Sequence, residues 1–144
     1  NGSSDSCVIH DQVHVHALNM SSGGAAEELS TIGANNEFEF SKVMVSQHGS
    51  IVLYSPNDLM IYLYSVNGKL LCEVDAMERL HAWTLTPDGE CLITGSERMI
   101  VKLRCLDDLH TMHTFQRVEA SIHSLALTPE ENMLLVSSLF FLRR

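Results

Sequence analysis

The chain repeats itself about every 40 residues, and that periodicity restricts its fold more than any other feature. Val45-Ser46-Gln47-His48-Gly49 aligns with Leu85-Thr86-Pro87-Asp88-Gly89 at an offset of 40, and Leu85-Thr86-Pro87 with Leu127-Thr128-Pro129 at an offset of 42. Asn67-Gly68 aligns with Asp107-Asp108, again 40 apart, and His81 with His123, 42 apart. The fullest copy is 80–106. Its first run, 80–86, is apolar and β-prone. Pro87-Asp88-Gly89 then turns the chain: Pro presets φ, Asp bonds its own backbone, and Gly accepts positive φ. A short apolar run follows. Gly95-Ser96-Glu97-Arg98 reads as a second turn, and 100–105 alternates apolar with charged residues, the period of a strand. A 40–45-residue period with roughly four strands per copy is the signature of propeller blades. A β-sandwich would also show short strands and frequent turns, but it needs no such self-similarity. The expectation is an all-β chain: a partial β-propeller of about three four-stranded antiparallel blades, degenerate and open.

The chain divides by pattern. Residues 1–18 hold β runs at 7–10 and 13–18 and read as the end of a broken blade. Residues 19–37 turn small and polar, rich in Gly and Ser, with a weak helical signal near Ala25–Leu29; they read as a loop. Residues 38–138 carry the blades. In the first, strands are expected at 40–46, 50–55, 59–66 and 69–74, the last two joined by Asn67-Gly68, a strong hairpin signal. Leu109–Phe115 supplies the fourth strand of the second blade, and 120–128 with 133–138 begins a third. Ile61-Tyr62-Leu63-Tyr64 and Met133-Leu134-Leu135-Val136 are apolar throughout, as expected where neighbours cover both faces of a sheet. Residues 139–144 fit no further strand and read as a truncated tail.

Charge narrows the partners. The chain has 144 residues, 9 Lys and Arg and a formal net charge of −9, which argues against nucleic acid and against adhesion to anionic lipid. No apolar run approaches the ~18 residues of a membrane-spanning helix. The four cysteines, Cys7, Cys72, Cys91 and Cys105, form no CxxC pair, and most lie in apolar runs. They read as reduced, which suits a cytosolic or nuclear chain.

The segment 84–106 resembles a degenerate WD repeat. The naming Trp-Asp pair would fall at Arg104-Cys105, at Tyr64-Ser65 in the preceding copy and at His16-Ala17 in the first; no copy keeps it. A closer resemblance is to the last propeller blades of the neurobeachin family of BEACH-domain proteins, above all its neurobeachin-like branch. It is carried by Leu63-Tyr64-Ser65-Val66-Asn67-Gly68-Lys69-Leu70 and by Ala120-Ser121-Ile122-His123-Ser124-Leu125-Ala126-Leu127-Thr128. The resemblance implies a non-catalytic, protein-binding scaffold belonging to a large trafficking protein. Such a protein would be cytoplasmic and peripheral on endomembranes, with vesicle traffic as its setting.

The chemistry-bearing residues point the same way. His10, His14 and His16 offer a metal reading, because His14 and His16 share one face of a strand. No Cys or carboxylate completes a tetrahedron, so a strand edge is expected instead. His81 and His123, being repeat-equivalent, are expected to pack between blades, as are Tyr62 and Tyr64, and the single Trp83 is expected in the core. Asp75, Glu78, Asp107, Asp108, Glu130 and Glu131 sit at turns and are expected to be solvated. There is no GxSxG elbow, no Cys/His pairing of recognisable spacing and no phosphate-cradling glycine motif before a helix. No catalytic, cofactor-binding or metal residue is therefore expected. The alternatives are a small β-domain that binds metal through its N-terminal histidines, and an enzyme built on a propeller. Partners are expected to be proteins, including further copies of the chain through open blade faces.

Overall fold

The computed structural model describes residues 12–18, 26–33, 42–130 and 133–139, and all twelve elements are β-strands. They fall into two compact units, 1–38 and 39–144. In the first unit β1 (Gln12–Leu18) pairs antiparallel with β2 (Ala26–Gly33). Residues 26–33 of the 19–37 segment are therefore a strand, and the weak helical signal near Leu29 does not win. Cross-strand pairing with β1 supplies the hydrogen bonds that local propensity does not predict. Cys7, His10 and the 140–144 tail lie outside the described residues.

The second unit contains two four-stranded antiparallel sheets. The first blade runs β3 (Lys42–Val45), β4 (Ile51–Ser55), β5 (Met60–Tyr64) and β6 (Leu70–Asp75), in sequence order. The second runs β7 (Leu80–Leu85), β8 (Cys91–Ser96), β9 (Val101–Cys105) and β10 (Thr111–Thr114), also in order. β11 (Ser121–Leu127) and β12 (Leu134–Leu139) pair as a further hairpin. No helix among the described residues is long and apolar enough to cross a membrane.

The turns recur with the repeat. Ser46, Ser65, Thr86, Ser96 and Thr128 each end a strand and close the turn that follows. Each main-chain N–H donates across the turn, to the carbonyls of Ser50, Lys69, Cys91, Ile100 and Met133 respectively. Each hydroxyl accepts a returning backbone N–H, for example Ser50 to Ser46 at 3.1 Å and Cys91 to Thr86 at 2.9 Å. Gly68 and Gly89 take φ of 77° and 75°, a region that glycine enters without steric cost. The expected turn at Gly95–Arg98 lies later. Gly95 and Ser96 belong to β8, and the turn begins at Glu97. Gly95 serves packing: a Cβ there would lie 2.8 Å from Ile122 Cγ2 and 3.3 Å from Leu125 Cδ1.

Two cores cover the two faces of the second blade. Towards the first blade, Trp83, Leu92, Leu106 and Leu109 meet Val52, Tyr54, Ile61 and Leu63. Trp83, expected in the core, is 5% exposed, and its ring meets Tyr54 edge-on at 6.1 Å. The Leu80 N–H donates to the Tyr54 hydroxyl at 3.0 Å, joining the blades. On the opposite face Ala82, Ile93 and Val101 meet Ile122 and Leu125 of β11. β12 is covered less than its sequence suggests. Met133 and Leu135 are 58% and 54% exposed, while Leu134 and Val136 are half-buried against the second core. Tyr62 and Tyr64 stand side by side at 6.4 Å, half-buried and outside both cores.

Candidate functional site

β3, β7 and β11 are the first strands of their sheets; β7 and β11 lie against each other, and Lys42 of β3 reaches towards β7. Lys42 Nζ on β3 donates to the Trp83 carbonyl on β7 at 3.4 Å. His81 Nδ1 on β7 and Ser121 Oγ on β11 are 3.5 Å apart. A cleft of about 270 Å³ follows these strands, lined by Lys42, His81, Trp83, His123 and Ser124.

His81 and His123 are exposed and do not pack between the blades as expected. Strand register explains the difference. In β7, Leu80 faces Ser96 and Ala82 faces Gly95, leaving His81 as an extra residue. In β11, Ile122 faces Ser138 and Ser124 faces Ser137, leaving His123 as an extra residue. Each histidine is thus the unpaired member of a β-bulge, which re-aims its side chain out of the alternating pattern. Leu71 in β6 and Met112 in β10 are bulged in the same way, 41 residues apart, and both are exposed. The repeat equivalence read from the sequence was correct, but its meaning is a repeated outward-facing group. The cleft offers an ammonium donor, two imidazoles and the Ser124 hydroxyl. No carboxylate stands among its lining residues.

Charge is also held between the blades. Glu78, expected to be solvated on its turn, is 5% exposed. The segment that carries it is tied at both ends: Ala76 N–H donates to the Leu59 carbonyl, and Glu97 N–H to the Arg79 carbonyl. Glu78 Oε1 lies 3.1 Å from Lys102 Nζ. Arg104, at the degenerate Trp-Asp position, is 4% exposed and donates to the Leu109 carbonyl at 3.2 Å. Burial lowers the pKa of its guanidinium, and the Glu78 charge opposes that shift. This buried charge lies at the junction between the blades.

His14 and His16 lie on β1 opposite Thr31 and Glu28. Among the described residues, metal-ligating atoms converge at the β9–β10 turn, where donor atoms of Cys105, Asp108 and His110 lie within 4.8 Å of one another. The sequence signal was a Cys, an Asp and a His within six residues. Without the pairing of β9 and β10 it reads as an ordinary solvated turn.

The comparisons agree with this architecture. The family model described as the neurobeachin beta propeller domain matches residues 7–138. BEACH domain-containing protein B of Arabidopsis thaliana is 34% identical over 91 residues, covering 63% of this chain and 4% of that relative. The chain thus spans a small part of the relative's length. Repeating four-stranded antiparallel blades and a family match over most of the chain lead to one assignment: the chain belongs to the neurobeachin β-propeller domain family.

Proposed function

We propose that this chain acts as a non-catalytic protein-interaction scaffold, the propeller part of a BEACH-domain protein working in membrane and vesicle traffic. The carrying observation is the pair of bulged histidines, repeated on neighbouring first strands and directed into one polar cleft. A rigid sheet that re-aims the same residue type from successive blades presents an array of donors, which suits recognition of an extended surface. Catalysis would instead need a nucleophile, a base and its orienting partner within hydrogen-bond reach, and the cleft lining holds no carboxylate to orient either imidazole. Lys42 gives the cleft a positive centre on a chain of net charge −9, so the partner it selects is an acidic segment of another protein. A cytoplasmic place, peripheral on endomembranes through the parent protein, accords with thiol cysteines at Cys72, Cys91 and Cys105.

The test uses the full-length parent carrying Lys42→Glu, His81→Glu and His123→Glu together. All three side chains are exposed, so folding should be kept. Quantitative affinity capture from cytosol should lose defined acidic partners relative to wild type. An unchanged partner set, or turnover of a small molecule abolished by the same substitutions, would overturn the reading.

A further inference from the structure

The β9–β10 turn carries a metal-binding arrangement that the scaffold role does not use. Its sequence, Cys105-Leu106-Asp107-Asp108-Leu109-His110, is closed by two backbone bonds: Cys105 N–H donates to the His110 carbonyl, and Leu109 N–H to the Cys105 carbonyl, both at 3.0 Å. Cys105 and His110 therefore face one another across the neck of the turn. Leu109 fixes its shape. This residue is fully buried in the core between the blades and sits at φ 60°, so the turn cannot swing freely. Asp108 Oδ1 accepts the His110 N–H at 3.1 Å and lies 2.5 Å from His110 Nδ1. The carboxylate and the imidazole are thereby held side by side, with one donor atom of each already adjacent.

We propose that Cys105, Asp108 and His110 form a zinc-binding site at the outer corner of the second blade. The donor set is a sulfur, a nitrogen and an oxygen, all within 4.8 Å of one another. That combination matches zinc, which takes thiolate, imidazole and carboxylate in a tetrahedron, whereas calcium and magnesium take oxygen alone. The corner is rich in soft donors beyond the three. Cys91 is the cross-strand partner of Cys105, and its Sγ lies 3.9 Å from Met112 Sδ. Asp107 and Glu90 add exposed carboxylates along the adjoining cleft, drawing cations towards it. Asp108 and His110 have side chains 63% and 57% exposed, so three protein ligands leave the fourth position to water or to a residue of a partner. Bound zinc would clip β9 to β10 at the blade's outer edge.

The test uses the purified full chain under reducing conditions. Zinc titrated calorimetrically should bind at one equivalent and raise the melting temperature, while magnesium at the same concentration should do neither. Cobalt(II) in place of zinc should show thiolate-to-metal charge-transfer absorption. Cys105→Ser should abolish that band, and Asp108→Ala or His110→Ala should weaken binding about tenfold or more. His110→Ala and Asp108→Ala alter exposed side chains, so both variants should retain the wild-type circular dichroism spectrum. His14→Ala with His16→Ala should leave binding unchanged. The proposal fails if zinc is not taken up stoichiometrically, if the cobalt complex lacks the thiolate band, or if binding survives Cys105→Ser. It fails equally if the N-terminal histidine variant abolishes binding.

Discussion

Asp88 shows how a single side chain carries a turn. Its Oδ1 accepts the Glu90 N–H at 3.0 Å and also the Thr86 hydroxyl. The Glu90 N–H, with Thr86 next in effect, holds the carboxyl below its ordinary pKa. The folded chain therefore favours the carboxylate. Its contribution to stability is complete above the ordinary carboxylate range at about pH 4 and is lost as pH falls through the lowered folded-state value. Asp88→Asn should remove this part of the acid response. Urea melts between neutral and acid pH should show the gap between wild type and variant closing on the acid side; a constant gap would count against the assignment. Glu78 is the opposite kind of carboxylate, buried where the sequence suggested solvent. Replacing it with Ala leaves Lys102 and Arg104 without their counter-charge inside the blade junction, at a cost on the order of 3 kcal/mol. Chemical denaturation checks this, and a change under 1 kcal/mol would mean that the junction tolerates the loss through solvent.

At the scale of elements, β8 is the strand on which both cores depend. Leu92 faces the first blade and Ile93 faces β11, so alternate residues bury on opposite sides. Gly95 completes the pattern by letting β11 come close. Gly95→Ala should destabilise the chain by about 1–3 kcal/mol, since the new methyl must displace the fully buried Ile122. In an Ile122→Ala background the same change should cost less, because the two closest obstructing atoms are gone and only Leu125 Cδ1 at 3.3 Å remains to give way. Additive effects in that double-mutant cycle would place the cost of the new methyl elsewhere. The strand positions were largely legible in the sequence, because alternation and turn chemistry are local. The position of Gly95 was not. A glycine followed by serine reads as a turn unless the neighbouring blade is known.

The second unit as a whole leaves apolar surface at its margin. β12 has no strand bonded to its outer side among the described residues, and Met133 and Leu135 there are more than half exposed. Unpaired edges and exposed apolar side chains promote association. The isolated 144-residue chain should self-associate with rising concentration in sedimentation velocity, and Leu135→Lys should shift it towards monomer. A single monomeric species at every concentration would refute this.

The sequence by itself determined the blade period, the all-β class, the order of strands in 42–127 and the family. All of these follow from patterns repeated along the chain: apolar alternation, the hydroxyl-bearing residues at strand ends, and turns 40 or 42 residues apart. Only the tertiary structure decided which polar residues face outward, which are buried and which meet. Whether His81 and His123 pack or point outward depends on bulges, and a bulge is a relation between two strands. Whether Glu78 is wet or buried depends on the next blade. Whether Cys105, Asp108 and His110 meet depends on the pairing of β9 with β10 and on the burial of Leu109. Local pattern encodes the strands, but register and blade contact join residues distant in sequence, and those contacts decide which polar groups meet.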